Sequence, residues 1–210
     1  MVSVRLDRAF RREESGIVLL ETLLVIPILL LIIAGMIEFG VALFQWNTSV
    51  KALHIGARQI AVSSPLVGDS NYLTALTSDY GTLPQGDPVP AAVQSISCGA
   101  GITPCVASRL QGVIDGGDGA CGGNTGTRIG MCDVAPWIGP NNVVVTYFRA
   151  GLGYVARPNG PVSTVRVELR NVTFNFYLLD DLIPALGNIS IPTLPVTVTG
   201  EDLKDCLTGC

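Results

Sequence analysis

The 210-residue sequence predicts an α+β fold: one long N-terminal helix, transmembrane in its first half and amphipathic in its second, packed on a small antiparallel β-sheet head with disulfide-closed loops. Three observations predict it. An apolar run extends from Ile17 to Phe44 with Glu21 and Glu38 as its only charges. Alternation of apolar and polar residues, the mark of half-buried strands, sets in only after Asn142. The six cysteines, Cys98, Cys105, Cys121, Cys132, Cys206 and Cys210, all lie beyond the run. The chain divides accordingly into residues 1–16 (a short charged segment), 17–63 (the helix), 64–141 (loop-rich and cysteine-containing) and 142–210 (sheet and C-terminal tail).

The helix starts near Ser15. Residues 17–37 would make about 31 Å of helix, enough to cross a hydrocarbon core. Pro27 removes one backbone hydrogen bond and is expected to kink it, whereas Gly35 and Gly40 are tolerated in membrane helices and permit close helix contact. Beyond the run, Trp46, Val50, Leu53, Ala57 and Ile60 recur at spacings of four, three, four and three, one stripe of an amphipathic helix. Gln45, Lys51, Arg58 and Gln59 fall off that stripe, His54 lies beside it, and Ser63, Ser64 and Pro65 end the pattern.

Arg5, Arg8, Arg11 and Arg12 precede the run, and only Lys51 and Arg58 follow it at similar range, which places the N-terminus in the cytoplasm and the head outside. A secretory signal peptide fits poorly, because the run exceeds an h-region and no Ala-x-Ala site follows it. On the exported side an even number of cysteines reads as disulfides, and local pairing (98–105, 121–132, 206–210) brackets short turn-prone stretches. A zinc site lacks support, since there is no Cys-x-x-Cys and His54 is the only histidine.

Residues 64–100 read as loop, with a short helix around Tyr72 to Leu76 and prolines 84, 88 and 90 as interruptions. Residues 105–114 suit a short helix with Val106, Leu110, Val113 and Ile114 inward. The glycine-rich stretch from Asp115 to Gly126 carries Asp115, Asp118 and Asn124, but not at EF-hand spacing, and it lacks the Lys-Ser/Thr ending of a phosphate-binding loop. Val143 to Arg149 is a strand, and Val165, Val167 and Leu169 alternate with Arg166, Glu168 and Arg170 in a second. At Asn171 the apolar residues move to even positions (Val172, Phe174, Phe176), which demands a bulge or bend. A similar switch between Ile191 and Leu194, at Pro192 and Pro195, marks an edge strand.

Glu21 is the residue hardest to explain as part of an ordinary anchor. It lies about 6 Å inside the run, where an acid costs a few kcal/mol and normally has a partner. The run holds no Lys, Arg or His. A cut between Gly16 and Ile17 would create one, the new amino group of Ile17, which is cationic or partly so near neutral pH. It would meet Glu21 one turn away, or Glu21 of a shifted neighbour.

Gly16, the hydrophobic residues 17 to 20 and Glu21 resemble the processing site of type IV pilins and pseudopilins. With Leu23 to Leu31, Ile37 to Gly40, Asn47, Thr48 and Gly56 to Arg58, the segment is similar to the TadE-like minor pseudopilins of the tight adherence (Tad/Flp) pilus; Thr22 stands where that family often carries an aromatic residue. Val144 to Tyr147, Gly151 to Tyr154, Asn159 to Pro161, Val165 to Leu169 and Thr199 to Leu203 resemble the C-terminal part of TadE/TadG-like assembly proteins. The resemblance implies a pilin-like fold and a leader, residues 1–16, removed by a prepilin peptidase. It further implies single-pass insertion in a bacterial inner membrane and assembly with other pilins and the pilus machinery, with entry into a surface pilus. Membrane lipid is the other expected partner. No basic patch suggests nucleic acid, and no cofactor or catalytic constellation is read: serines lack a Gly-x-Ser-x-Gly turn, and Asp180 and Asp181 suit a turn or helix start. An uncleaved single-pass anchor carrying an extracytoplasmic binding module remains the alternative. Net charge is −4; residues 1–16 hold four Arg against Asp7, Glu13 and Glu14, so removing them would leave −5.

Overall fold

The apolar run and the stripe beyond it form one element. In a computed structural model of the chain, helix α1 spans Glu14–Ala61, 48 residues with Pro27 in its interior. The structure describes residues 14–122, 128–158, 160–176, 189–192 and 195–200. Cys206, Cys210, Asp180, Asp181, Leu194 and residues 1–13 lie outside the described residues. α1 ends where the residue before Pro65 is pushed out of helical geometry, and Gly68 N–H closes the following turn onto the Pro65 carbonyl at 3.0 Å.

Contacts divide the chain into two compact units, residues 1–43 with 175–188 and residues 44–174 with 189–210. In the first, nearly every large side chain of α1 is exposed: Leu19 is 68% exposed, Leu23 68%, Leu30 58% and Met36 70%. The helix is long and apolar enough to cross a membrane, with a mean hydropathy of 2.7 over its most apolar window. The second unit holds the rest of α1 and the sheet. Helix α2, Asp69–Leu76, buries Tyr72 and Leu76 one turn apart. Helix α3, Ala107–Asp115, buries Leu110, Val113 and Ile114 and ends on Gly116, whose φ of 72° gives the left-handed stop that glycine adopts without strain. Val106, expected inward, instead precedes the helix and is 36% exposed. A single turn, α4, covers Met131–Val134, and a 3₁₀ turn at Pro140–Asn142 leads into the sheet.

Among the described residues the sheet has four antiparallel strands in sequence order: β1 Gln94–Gly99, β2 Val143–Arg149, β3 Thr164–Leu169 and β4 Val196–Thr199. Its register builds the core in rows. Cys98 lies opposite Val145, Val145 opposite Val167, and Val167 opposite Val196, all buried. The next row runs Ile96, Tyr147, Val165, Val198. These two rows share one hydrophobic cluster with Ala52, Leu53, Ala57 and Ile60 of α1. The opposite face is polar, with Ser97, Thr146, Arg166 and Thr197 in line and a 2.8 Å hydroxyl–hydroxyl bond between Ser97 and Thr146.

Two differences from the sequence reading are physical. β1 comes from residues read as loop; Gln94 to Gly99 is Ser- and Gly-rich and lacks the run of branched residues that identifies a strand, and Cys98 holds it in the core. The change of face after β3 is made by Asn171 itself, at φ 57°, which asparagine tolerates better than most residues. The Asn142 side-chain amide donates to the Arg170 and Asn171 carbonyls at 3.2 and 3.1 Å and holds the bend. Val172 is then buried, but the chain continues only as an isolated bridge between Thr173 and Ser190. β4 lies at the sheet's edge.

Candidate functional site

Gly16 sits in the first turn of α1, exposed, with nothing but its own helix backbone and chain neighbours within 4 Å of where a side chain would begin. First-turn N–H groups have no intrahelical partner, so opening the backbone there costs little. Glu21 is exposed on the same helix, four residues beyond Ile17. Thr22 returns its hydroxyl to the Val18 carbonyl at 2.8 Å, which removes its donor from an apolar surface. Gly16, Glu21 and the surrounding apolar side chains thus form a bare helix end, its one carboxylate among Val18, Leu19, Leu20, Leu23 and Leu24.

The other end of α1 departs from the expected stripe. Leu53, Ala57 and Ile60 are buried, but Trp46 is 38% exposed, and the residues inward at that level are Gln45 and Ser49. The buried face runs Gln45, Ser49, Ala52, Leu53, Gly56, Ala57, Ile60. Ser49 makes this possible: its hydroxyl donates to the Gln45 carbonyl at 2.8 Å and accepts from Trp137 Nε1 at 2.9 Å. Gly56 lets Met131 pack close, since a Cβ there would overlap the Met131 sulfur unless that side chain moved. Trp46, partly exposed, donates Nε1 to the Pro192 carbonyl at 3.1 Å, and Gln59 donates to the Ile129 carbonyl at 2.6 Å. Farther toward the N-terminus, Glu38 is buried, while its neighbours Ile37 and Phe39 are exposed. Sequence reasoning missed Glu38, Gln45 and Ser49 because a hydrophobic-stripe search discards polar positions, although their spacing of seven and four places them on one helix face.

Among the described residues two disulfides close loops. Cys98 joins Cys105, and Cys121 joins Cys132. Within the glycine-rich loop, Asp115 accepts from Gln111 Nε2 at 2.9 Å and from Gly117 N–H at 2.8 Å, and Asp133 accepts from the Gly122 and Gly130 N–H groups at 3.0 and 2.8 Å. These carboxylates organise backbone. Among the described residues no three His, Cys, Asp or Glu side chains converge as a metal-ligand set. Tyr147 and Tyr72 are held neutral by burial, which raises both phenols above their usual range; the Tyr147 oxygen accepts the Leu66 N–H at 2.9 Å.

Residues 16–58 match the family model described as TadE-like protein. Over that stretch the chain is TadE-like. The match begins at Gly16, takes in Glu21 and the polar face at Glu38, Gln45 and Ser49, and stops before the sheet. No curated protein and no solved structure matches the chain. That family suggests a pilin-like protein of the Tad system, with other Tad pilus components as partners. The apolar N-terminal helix, long and apolar enough to cross a membrane, suggests a membrane anchor.

Proposed function

We propose that this TadE-like chain is a minor pilin or pseudopilin subunit that takes part in assembly, initiation or the tip of a Tad/Flp-type pilus. It inserts with its N-terminus inside the cell and its head outside. A prepilin peptidase cuts between Gly16 and Ile17, and the helix from Ile17 packs among those of other subunits. The observation that carries this reading is a carboxylate five residues past a glycine, on a helix whose large side chains at that end are exposed. A lone anchor gains nothing from that acid, which costs a few kcal/mol in lipid. A subunit with a free amine at Ile17 gains a charge partner and an axial register.

Mass spectrometry of membrane-extracted protein, with and without the peptidase, tests the cut. The expected result is an Ile17 terminus only when the peptidase is present. A tryptic peptide still spanning Ser15, Gly16 and Ile17 in both samples would leave an uncleaved anchored binding module as the better description. Glu21→Ala is expected to be processed as wild type yet to be at least tenfold depleted from sheared fibres. Normal incorporation of that variant would sink the pairing role.

A further inference from the structure

The two edges of the sheet are built differently. β4 is four residues long, with Pro195 before it and Glu201 and Asp202 close behind it in the sequence. Shortness, proline and charge are what keep a sheet edge from pairing with another chain. β1 lacks the last two. From Pro88 to Ser108 the sequence holds no Asp, Glu, Lys or Arg, and β1 itself holds no proline. It has β2 on one side and, among the described residues, no strand on the other. The register fixes which of its backbone groups face outward. Opposed residues in an antiparallel pair alternate between those that exchange both hydrogen bonds and those that exchange none. Ala100 continues the register opposite Val143 and donates to its carbonyl at 3.0 Å. Cys98 and Ile96 therefore bond β2, whereas the N–H and C=O groups of Ser95, Ser97 and Gly99 point away from it. Gly99 agrees, since its N–H donates to the Thr103 carbonyl at 3.0 Å. The backbone groups of Ser95 and Ser97 meet no partner among the described residues, and Ser95 is exposed.

We propose that this edge is a strand-addition site, which takes an extended, uncharged segment of a different protein alongside β1. Main-chain spacing names the occupant. Outward donors and acceptors recur at every second residue, roughly 6.5 Å apart along the edge, and another extended backbone repeats that spacing. No charged side chain on β1, or beside it in the sequence, would compensate a charge carried in by the added strand. The site is short. At its Gly99 end the loop closed by the Cys98–Cys105 disulfide already occupies the edge. An incoming chain runs beside Ser95 and Ser97 and ends or turns away there. A second copy fits poorly, because pairing Ser95 of each β1 with Ser97 of the other would set Val93 opposite Gly99, against that loop. The site needs neither cleavage of the leader nor entry into a fibre, and so goes beyond the pilus-subunit reading.

Amide hydrogen exchange tests this on the full-length, uncleaved, ¹⁵N-labelled chain in detergent. The probe is a short blocked peptide of alternating threonine and valine, used at millimolar concentration because few hydrogen bonds form. Alone, the chain is expected to exchange the Ser95 and Ser97 amides fast and those of Ile96 and Cys98 slowly. With the peptide, exchange at Ser95 and Ser97 slows at least fivefold and saturably. A fully N-methylated peptide, which has lost its donors, leaves it unchanged. Ser97→Pro removes an outward donor without touching the ladder to β2, and abolishes the slowing at Ser95 while Ile96 and Cys98 stay protected. Where that variant disturbs the strand, seen as lost protection at Ile96, Ser95→Lys blocks the edge with a charge instead. No slowing, equal slowing by the N-methylated peptide, or slowing at Thr197 and Thr199 in place of Ser95 and Ser97 would overturn the proposal. So would protection of Ser95 and Ser97 before peptide is added. If that protection grew with protein concentration, a second copy would be the occupant; if not, the chain's own residues would be.

Discussion

At Arg149 a guanidinium is sealed into the sheet with no solvent exposure, and Asp79 meets it with both carboxylate oxygens. A third bond goes to the Ala92 carbonyl at 2.6 Å, and the Tyr80 ring lies 5.6 Å from the guanidinium carbon. One side chain thereby ties the loops at Asp79 and Ala92 to the end of β2. The hydrogen bonds from Arg149 hold the Asp79 carboxyl below its ordinary value of 3.8. A carboxylate with a depressed folded-state pKa contributes stability that is complete above the ordinary value and is lost as pH falls through the depressed one. Removing the acid leaves a buried cation without a counter-charge, which is worse than removing the pair. Asp79→Asn is therefore expected to lower the melting temperature at pH 7. The gap from wild type should close as pH drops below about 4, as read by thermal unfolding in detergent between pH 3 and 7. A gap that stayed constant across that range would show that the ion pair is not what Asp79 contributes.

At the scale of the element, α1 carries two different instructions along one continuous helix. Its first part satisfies its own backbone and leaves apolar side chains outward, as lipid or neighbouring helices require. Its last part has one face to bury, and burial there is what stabilises it, since propensity contributes little to a helix in water. Leu53 is fully buried, so Leu53→Ala is expected to cost about 2–5 kcal/mol. Asn47→Ala, on the exposed side, should stay within about 0.5 kcal/mol. Denaturant titration of the two variants checks the assignment of faces, and equal effects would contradict it. This helix was largely legible in the sequence, because twenty-odd apolar residues followed by a 3.6-residue period admit few other solutions. The 45–49 level was not legible, because the partner of the inward Ser49 is Trp137, some ninety residues away. The sheet shows the same division. β2 and β3 announce themselves by alternation, whereas β1 is set by pairing with β2 and by the Cys98 crosslink, neither of which is local information.

At the scale of the whole molecule, the two compact units depend on different solvents for their order. An apolar helix in a hydrocarbon environment keeps its hydrogen bonds because nothing else can accept them. The second unit is built from short pieces, among them a four-residue α4 and a four-residue β4, none stable alone. Crosslinks supply part of what these pieces lack. The disulfides span sequence separations of 7 and 11, and the loop-entropy relation gives about 2–3 kcal/mol for each. Cys98 and Cys132 are themselves core residues, so the crosslinks anchor β1 and the glycine-rich loop to the same cluster that receives α1. Reduction of full-length protein in detergent should therefore act unequally. Trp46 and Trp137 both belong to the second unit, so their near-ultraviolet signal reports on it alone. That signal is expected to be lost at a lower denaturant concentration once the disulfides are reduced, with the Cys98→Ala/Cys105→Ala double variant shifted part of the way. The far-ultraviolet helical signal from the apolar run should persist through the same transition. If both signals vanished together, the helix would depend on the crosslinked unit for its order, and if reduction moved neither, hydrophobic packing alone would be holding these short elements in place.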